Sequence, residues 1–391
     1  MISVDGETRS SELVAESLPN GTFPGNENHQ RLCPKRREDR ARQHMIAREW
    51  ESSMTEDGSH SWVSQFRNRV GWGLQAFPTP LDSDPTARVI AAGRLADAQG
   101  FDAFFLGDHP AYAPEVWLHL GALAVQTSRI RLGSVVLCAG YRPPVLTARL
   151  AADLDNLSGG RVILGLGHGW NAAEFRQLGL PFPSVPDRQA ALAESIEIIR
   201  GVWGPEPFTY HGHYHSTDNE RVTPRPLQRP APPLLLAGGG ERTALRLVAR
   251  YADASNFGPG HATGLVRTPD EVRRKNAVLD RHCHDVGRDP RAVLRTHFTS
   301  WLMLAPTDAA ARAKLDHYYP AGINEEQQFS RVVGTPVQVA AYYQSLVDAG
   351  IEYFVVQTLD AADTETIELL AREVIPLVVP ATGASSDARD T

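Results

Sequence analysis

Residues 130–170 read IRLGSVVLCAGYRPPVLTARLAADLDNLSGGRVILGLGHGW. Residues 130–138 are mostly apolar, short and β-branched, which predicts a strand buried on both faces. Residues 144–157 carry helical spacing behind Pro144, a residue suited to the first helical turn. The Ser158-Gly159-Gly160 turn stops that helix, and residues 162–167 form a second apolar run. Strand, helix and strand in this order require a crossover and therefore parallel pairing.

The same unit repeats outward in both directions. Further strands are predicted at 70–77, 103–108, 234–238, 252–257, 295–304 and 353–357, making eight with the two above. Helices are predicted between them at 85–99, 115–127, 187–202, 242–251, 269–285 and 336–349, with a last one at 363–374. Thr335-Pro336 supplies an N-cap and a first-turn proline, and Gly350 closes that helix. Eight such units predict an α/β fold, a single (β/α)8 TIM barrel over residues 70–380. A doubly wound sheet would have fewer units and a GxGxxG after its first strand, and residues 71–77 have no such motif.

One stretch interrupts the alternation. Residues 203–233 lie between the fourth helix and the fifth strand and form an insertion rich in proline. Within it, residues 208–210 and 213–215 flank Gly212 as a small hairpin. His211, His213 and His215 have alternate spacing, but no carboxylate accompanies them and no metal site is expected. Residues 1–69 hold too few large apolar residues to build a core and are expected to be a largely disordered extension. Residues 381–391 are expected to be a disordered tail.

The chain has 391 residues, 42% hydrophobic and 22% charged, with a formal net charge of −7. This acidic balance argues against a nucleic-acid partner. Cys33, Cys138 and Cys283 are far apart and form no CxxC pair, so neither a disulfide framework nor a thiolate metal site is expected. No apolar run is long enough to span a membrane, and the opening residues lack the basic start and apolar stretch of a secretory leader. A cytoplasmic location is expected.

Barrel active sites lie at the C-terminal ends of the strands. At the second strand Asp108-His109 could move a proton or orient a cofactor. The third strand ends in Val135, Val136, Leu137, Cys138 and small residues, a floor for a flat ring. The fourth ends in Gly165-Leu166-Gly167-His168-Gly169-Trp170-Asn171, whose alternate glycines permit close approach to the backbone. The fifth runs through Gly238-Gly239-Gly240 into a helix, where free N–H groups and the helix dipole suit a phosphate. Arg242 could pair with that phosphate.

Six stretches, taken together, carry a family resemblance. They are WGLQAF (72–77), GFDAFFLGDH (100–109), SRIRLGSVVL (128–137), RLAADLDNLSGGRVILGLGHGWNAAEF (149–175), VTPRPLQRPAPPLLLAGGGERTALRLVARYAD (222–253) and GTPVQVAAYYQSLVDAGIEYFVV (334–356). In them residues 70–380 resemble the luciferase-like monooxygenases, (β/α)8 oxidoreductases that bind FMN or the deazaflavin coenzyme F-420. The branch resembled is the one dependent on F-420, with FMN as the alternative. The resemblance implies that His109 is the active-site histidine and Asp108 its cofactor-contacting neighbour. It implies that Val135, Val136 and Cys138 back the ring, that Gly167, Gly169 and Asn171 form the strand-four loop, and that Gly238, Gly239 and Gly240 hold the phosphate.

In the F-420 case a hydride passes to or from a small organic substrate. In the FMN case the enzyme is an oxygen-using monooxygenase, of the kind that acts on alkanals or alkanesulfonates, served by a flavin reductase. A non-catalytic flavin-binding relative is the alternative of another class. A homodimer is implied. Two departures matter. Arg142-Pro143-Pro144 lacks the histidine the family often has there. Trp170 stands where the family's sugar-phosphate dehydrogenases have a glutamate, which disfavours a sugar phosphate and suits an apolar or aromatic substrate. With His168, Trp170 is the expected substrate-pocket pair.

Overall fold

The computed structural model describes residues 58–77, 84–260 and 264–381. The chain runs α1 (Ser61–Ser64), β1 (Gly71–Ala76), α2 (Pro85–Gln99), β2 (Ala103–Leu106), α3 (Val116–Gln126), β3 (Arg131–Ser134), β4 (Leu137–Cys138), α4 (Pro144–Ser158), β5 (Val162–Gly167), α5 (Ala172–Gln177) and α6 (Val185–Val202). It continues through the hairpin β6 (Phe208–His211) and β7 (Ser216–Glu220) to β8 (Leu234–Ala237), α7 (Ala244–Tyr251), β9 (Ala254–Phe257), α8 (Pro269–Asp285) and β10 (Leu294–Leu304). Last come α9 (Asp308–Tyr318), α10 (Glu325–Ser330), β11 (Val332–Gly334), α11 (Pro336–Val347), β12 (Tyr353–Thr358) and α12 (Thr364–Leu369).

All the barrel strands pair in parallel. The order β12-β1-β2-β3-β5-β8-β9-β10 closes on itself because β10 pairs with both β9 and β12. This is the expected closed (β/α)8 barrel, each strand falling within about two residues of its predicted position. β11 adds outside the ring, against β10. The third predicted strand is two pieces: β3 pairs with β2 and β5, the chain bulges at a cis Val135–Val136 peptide, and β4 resumes against β5.

Alternate residues face opposite layers. Phe354 and Val356 join the layer between strands and helices, while Tyr353, Val355, Phe105, Ile163, Leu235 and Leu294 fill the barrel interior. The interior rings fit because β1 is nearly bare. A β-carbon on Gly71 would lie 2.1 Å from the Tyr353 ring and one on Gly73 2.5 Å from Phe105.

The folded unit begins before the expected boundary at Val70. His60 caps α1, its Nδ1 accepting from the Trp62 N–H at 3.0 Å, and its Nε2 donates to the Ala231 carbonyl at 3.0 Å. Trp62, Val63 and Phe66 are buried with the interior residues, and Phe66 and Trp62 meet the Tyr353 ring edge-on. Three aromatic or aliphatic side chains thus seal the N-terminal end of the barrel. The extension's residues 1–57 and the tail's residues 382–391 lie outside the described residues.

Within the insertion the hairpin forms, but with later strands than expected. The chain turns at 212–215, where the N–H groups of His213, Tyr214 and His215 all donate to the Glu194 carboxylate. The three imidazoles therefore do not share a strand face. The sequence reading also missed α9, α10 and β11. The cause is weak patterning: α9 buries only Ala311 and Leu315.

Three expectations follow. Trp62 is fully buried, so Trp62→Ala should cost about 3–5 kcal/mol of stability in denaturant unfolding. A chain starting at Met54 should retain full stability, and one starting at Val70 should not. Burial holds the His297 imidazole down to about 4 and lowers that of His60, so both are neutral when folded. The unfolded chain takes up these protons as pH falls below about 6.5, so stability is complete above that pH and declines towards 4. In thermal melts between pH 7.5 and 4.5, His297→Leu should flatten this decline.

Candidate functional site

At the C-terminal ends of β1, β2, β4 and β5 the side chains converge on His109. It follows β2 in the Gly107-Asp108-His109 turn, with its side chain about a fifth exposed. Its Nδ1 lies 3.1 and 3.3 Å from the two oxygens of Glu174. A carboxylate only accepts, so Nδ1 carries the hydrogen and Nε2 is left as the acceptor nitrogen. Glu174 is 1% exposed. It sits in the first turn of α5, a helix started by Asn171, whose Oδ1 accepts from the Ala173 N–H at 3.1 Å. Tyr141 donates its O–H to Glu174 at 2.9 Å. The buried carboxylate therefore has a donor on each side, which keeps a charge tolerable inside protein.

Asp108 does not pair with His109, as the sequence had suggested. Its carboxylate takes a two-pronged ion pair from Arg142, at 2.6 and 3.0 Å, and the Cys138 N–H at 3.1 Å. Glu115 holds the other side of Arg142 at 3.3 Å. Asp108 thus anchors the segment just after the Val135–Val136 bulge. Cys138 is buried in that segment, and burial pushes its thiol up to about 12. It remains a neutral wall group at ordinary pH.

The strand-four glycines are explained by the same bulge. A β-carbon on Gly165 would lie 1.9 Å from the Ser134 carbonyl oxygen, one on Gly167 2.8 Å from Val136, and one on Gly169 2.5 Å from the Cys138 sulfur. These glycines make room for protein atoms rather than for a ligand. Arg188, on α6, donates to the Gly169 carbonyl at 3.3 Å and lies over the Phe182 ring. His168 donates from Nδ1 to the same carbonyl at 2.7 Å, and burial lowers its pKa. Trp170, by contrast, is 54% exposed beside His109, their ring centroids 6.1 Å apart.

Gly238–Gly240 leaves β8 ahead of α7. Gly238 extends the strand ladder by donating to Asn256. The Gly239 carbonyl accepts from the buried Lys275 Nζ at 2.5 Å, and no described residue accepts from the N–H groups of Gly239 or Gly240. Only glycine fits at 239, where a β-carbon would lie 2.8 Å from Gly264. Arg242 is exposed, in a separate 410 Å³ pocket with Arg281, His282 and His284 of α8.

Sequence reasoning missed Glu174, Tyr141, Arg142, Gln75 and Lys275 as members of this site. Gln75, inside β1, donates to the Val135 carbonyl at 3.2 Å while its buried Oε1 has no partner among the described residues. Glu174 had a visible signal, lying in the NAAEF end of a quoted stretch. Arg142 had been noted only for the histidine missing beside it.

Comparison with known proteins agrees with this architecture. The family model described as luciferase-like monooxygenase matches residues 60–353. An F-420-dependent glucose-6-phosphate dehydrogenase of Kineococcus radiotolerans is 29% identical over 338 residues, spanning 78% of this chain and 98% of that protein. An FMNH2-dependent dimethylsulfone monooxygenase of Pseudomonas fluorescens is 25% identical, over 81% of this chain and 90% of that protein. Among solved structures, the F-420-dependent tetrahydromethanopterin reductase of Methanopyrus kandleri superposes with a TM-score of 0.66 at 21% identity, over 79% of this chain and 99% of the other. With a family match beginning at the His60 cap and running through the glycine loop to the start of β12, the chain belongs to the luciferase-like monooxygenase family and is an oxidoreductase of that fold.

Proposed function

We propose that the chain uses coenzyme F-420 to exchange a hydride with a small organic substrate, and that His109 moves the accompanying proton. The observation that carries this reading is the buried Glu174 carboxylate on His109 Nδ1, which leaves Nε2 as a proton acceptor at the barrel mouth. The choice of F-420 over FMN is supported by the dehydrogenase relative, which matches over nearly its full length. FMN is the second reading, supported by the dimethylsulfone monooxygenase relative.

The residues present fit a flat, phosphate-bearing ring in two respects. The unused N–H groups of Gly239 and Gly240, ahead of α7, suit a phosphate. The unpartnered Gln75 Oε1 suits a ring N–H. Val136 is partly exposed on the bulge and with Cys138 forms the floor. When bound, such a ring supplies or accepts the electron pair. The chain's own groups do the rest. Lys275 holds the Gly239 carbonyl away, which turns the Gly240 N–H in the opposite sense. Asp108 and Arg142 fix the floor. Glu174 fixes the His109 tautomer and stabilises the imidazolium formed when Nε2 takes a proton, as a carboxylate does for a catalytic histidine.

Titrating F-420 and FMN separately, with ring fluorescence as the readout, should give saturable binding of F-420 and weaker binding of FMN; the reverse order selects the monooxygenase reading. Gly239→Val must also displace the Gly264 backbone and should lower the melting temperature as well as weaken binding of the preferred cofactor; normal binding would place the phosphate elsewhere. His109→Ala should keep cofactor affinity within about tenfold while turnover falls by roughly 10²-fold or more. Glu174→Gln should lower turnover in the same direction with cofactor affinity retained. Unchanged turnover in His109→Ala would remove this histidine from the mechanism.

A further inference from the structure

We propose that the mouth beside His109 takes a neutral, flat aromatic substrate against the exposed rings of Trp170 and Tyr112; this rests on the site assigned above. The Tyr112 ring lies nearly parallel to the His109 imidazole, 17° apart with centroids 4.7 Å apart, yet the residue is 53% exposed. Trp170 meets the same imidazole edge-on and is 54% exposed. The other described tryptophans are buried or half-buried. Two large, half-exposed rings therefore both touch the proton-carrying group. A flat ligand lying on these exposed ring surfaces would sit beside the His109 imidazole.

The charges around this position select further. Of the three carboxylates here, Asp108 and Glu115 are held by the single guanidinium of Arg142 and Glu174 by His109. Arg188 lies across the Phe182 ring and donates to the Gly169 and Pro183 carbonyls. An anionic substrate placed at His109 would meet a surplus of negative charge with no uncommitted cation among these groups. A sugar phosphate fits neither the charge nor the rings. A neutral aromatic compound fits both.

The test uses the full chain, unloaded and loaded with whichever of F-420 or FMN it binds. Three probes are measured by calorimetry: acetophenone, cyclohexyl methyl ketone and glucose 6-phosphate. The two ketones have similar size and the same carbonyl, so their difference reads aromaticity. Acetophenone should bind about tenfold more tightly than its saturated analogue, with no saturation by glucose 6-phosphate. Trp170→Leu and Tyr112→Leu should each erase most of the preference for acetophenone while cofactor affinity and melting temperature are unchanged. Equal affinity for the two ketones, saturable binding of glucose 6-phosphate, or an unchanged preference in both variants would overturn the proposal. A loss of cofactor affinity in the variants would overturn it too, by assigning the rings to the cofactor. Failure of both cofactors to bind would instead overturn the cofactor reading, and the unloaded chain would still report the preference of the pocket.

Discussion

The carboxylate of Asp108 joins two strand ends and the turn that follows them. It leaves β2, receives the backbone N–H at the end of β4, and clamps Arg142 in the turn beyond. The bulge between β3 and β4 is thereby held at one height above the barrel interior. Everything nearby is adapted to that bulge: Gly165 and Gly167 yield space to it, and Gln75 donates to its Val135 carbonyl. At 5% side-chain exposure, the Asp108 ion pair is largely shielded from solvent. The loss of either partner would leave a buried charge unmatched, so this pair is a constraint of geometry more than a source of net stability.

The two ends of the barrel show opposite uses of packing. At the N-terminal end Trp62, Phe66 and Tyr353 interlock edge-to-face, and the missing side chains of Gly71 and Gly73 let them do so. At the C-terminal end the same strands carry Gln75, Asp108 and small residues, and aromatic rings stand exposed. A filled lower end supplies the stability that an open, charged upper end gives up.

The fold was legible because eight apolar runs alternated with eight helical ones, a pattern the parallel barrel requires. What escaped were elements whose stability comes from tertiary contact. The α1 segment has one turn and no periodicity, and only its docking under Tyr353 makes Trp62 a core residue. The strand-end positions of His109, the bulge and Gly238–Gly240 were also legible, which places the candidate site. The wiring was not. Sequence adjacency paired Asp108 with His109, but neighbours in an extended turn point in different directions, and the true partner comes from α5, 65 residues on. Alternate glycines similarly suggested room for a ligand, where the neighbouring strand fills the space.

The placement of Glu174 also bears on how the site can vary within its family. The carboxylate that tunes His109 comes from a helix started by Asn171, one residue after Trp170. Glu174 and Trp170 are therefore close in sequence but make separate contacts. Trp170 is exposed and makes no hydrogen bond that positions Glu174, whose orientation is set by His109, by Tyr141 and by its burial within the first turn of α5. Exchanging residue 170 would leave the hydrogen bonds among Glu174, His109 and Tyr141 in place. The relatives of this chain include a glucose-6-phosphate dehydrogenase and a dimethylsulfone monooxygenase, so one barrel fold hosts more than one chemistry.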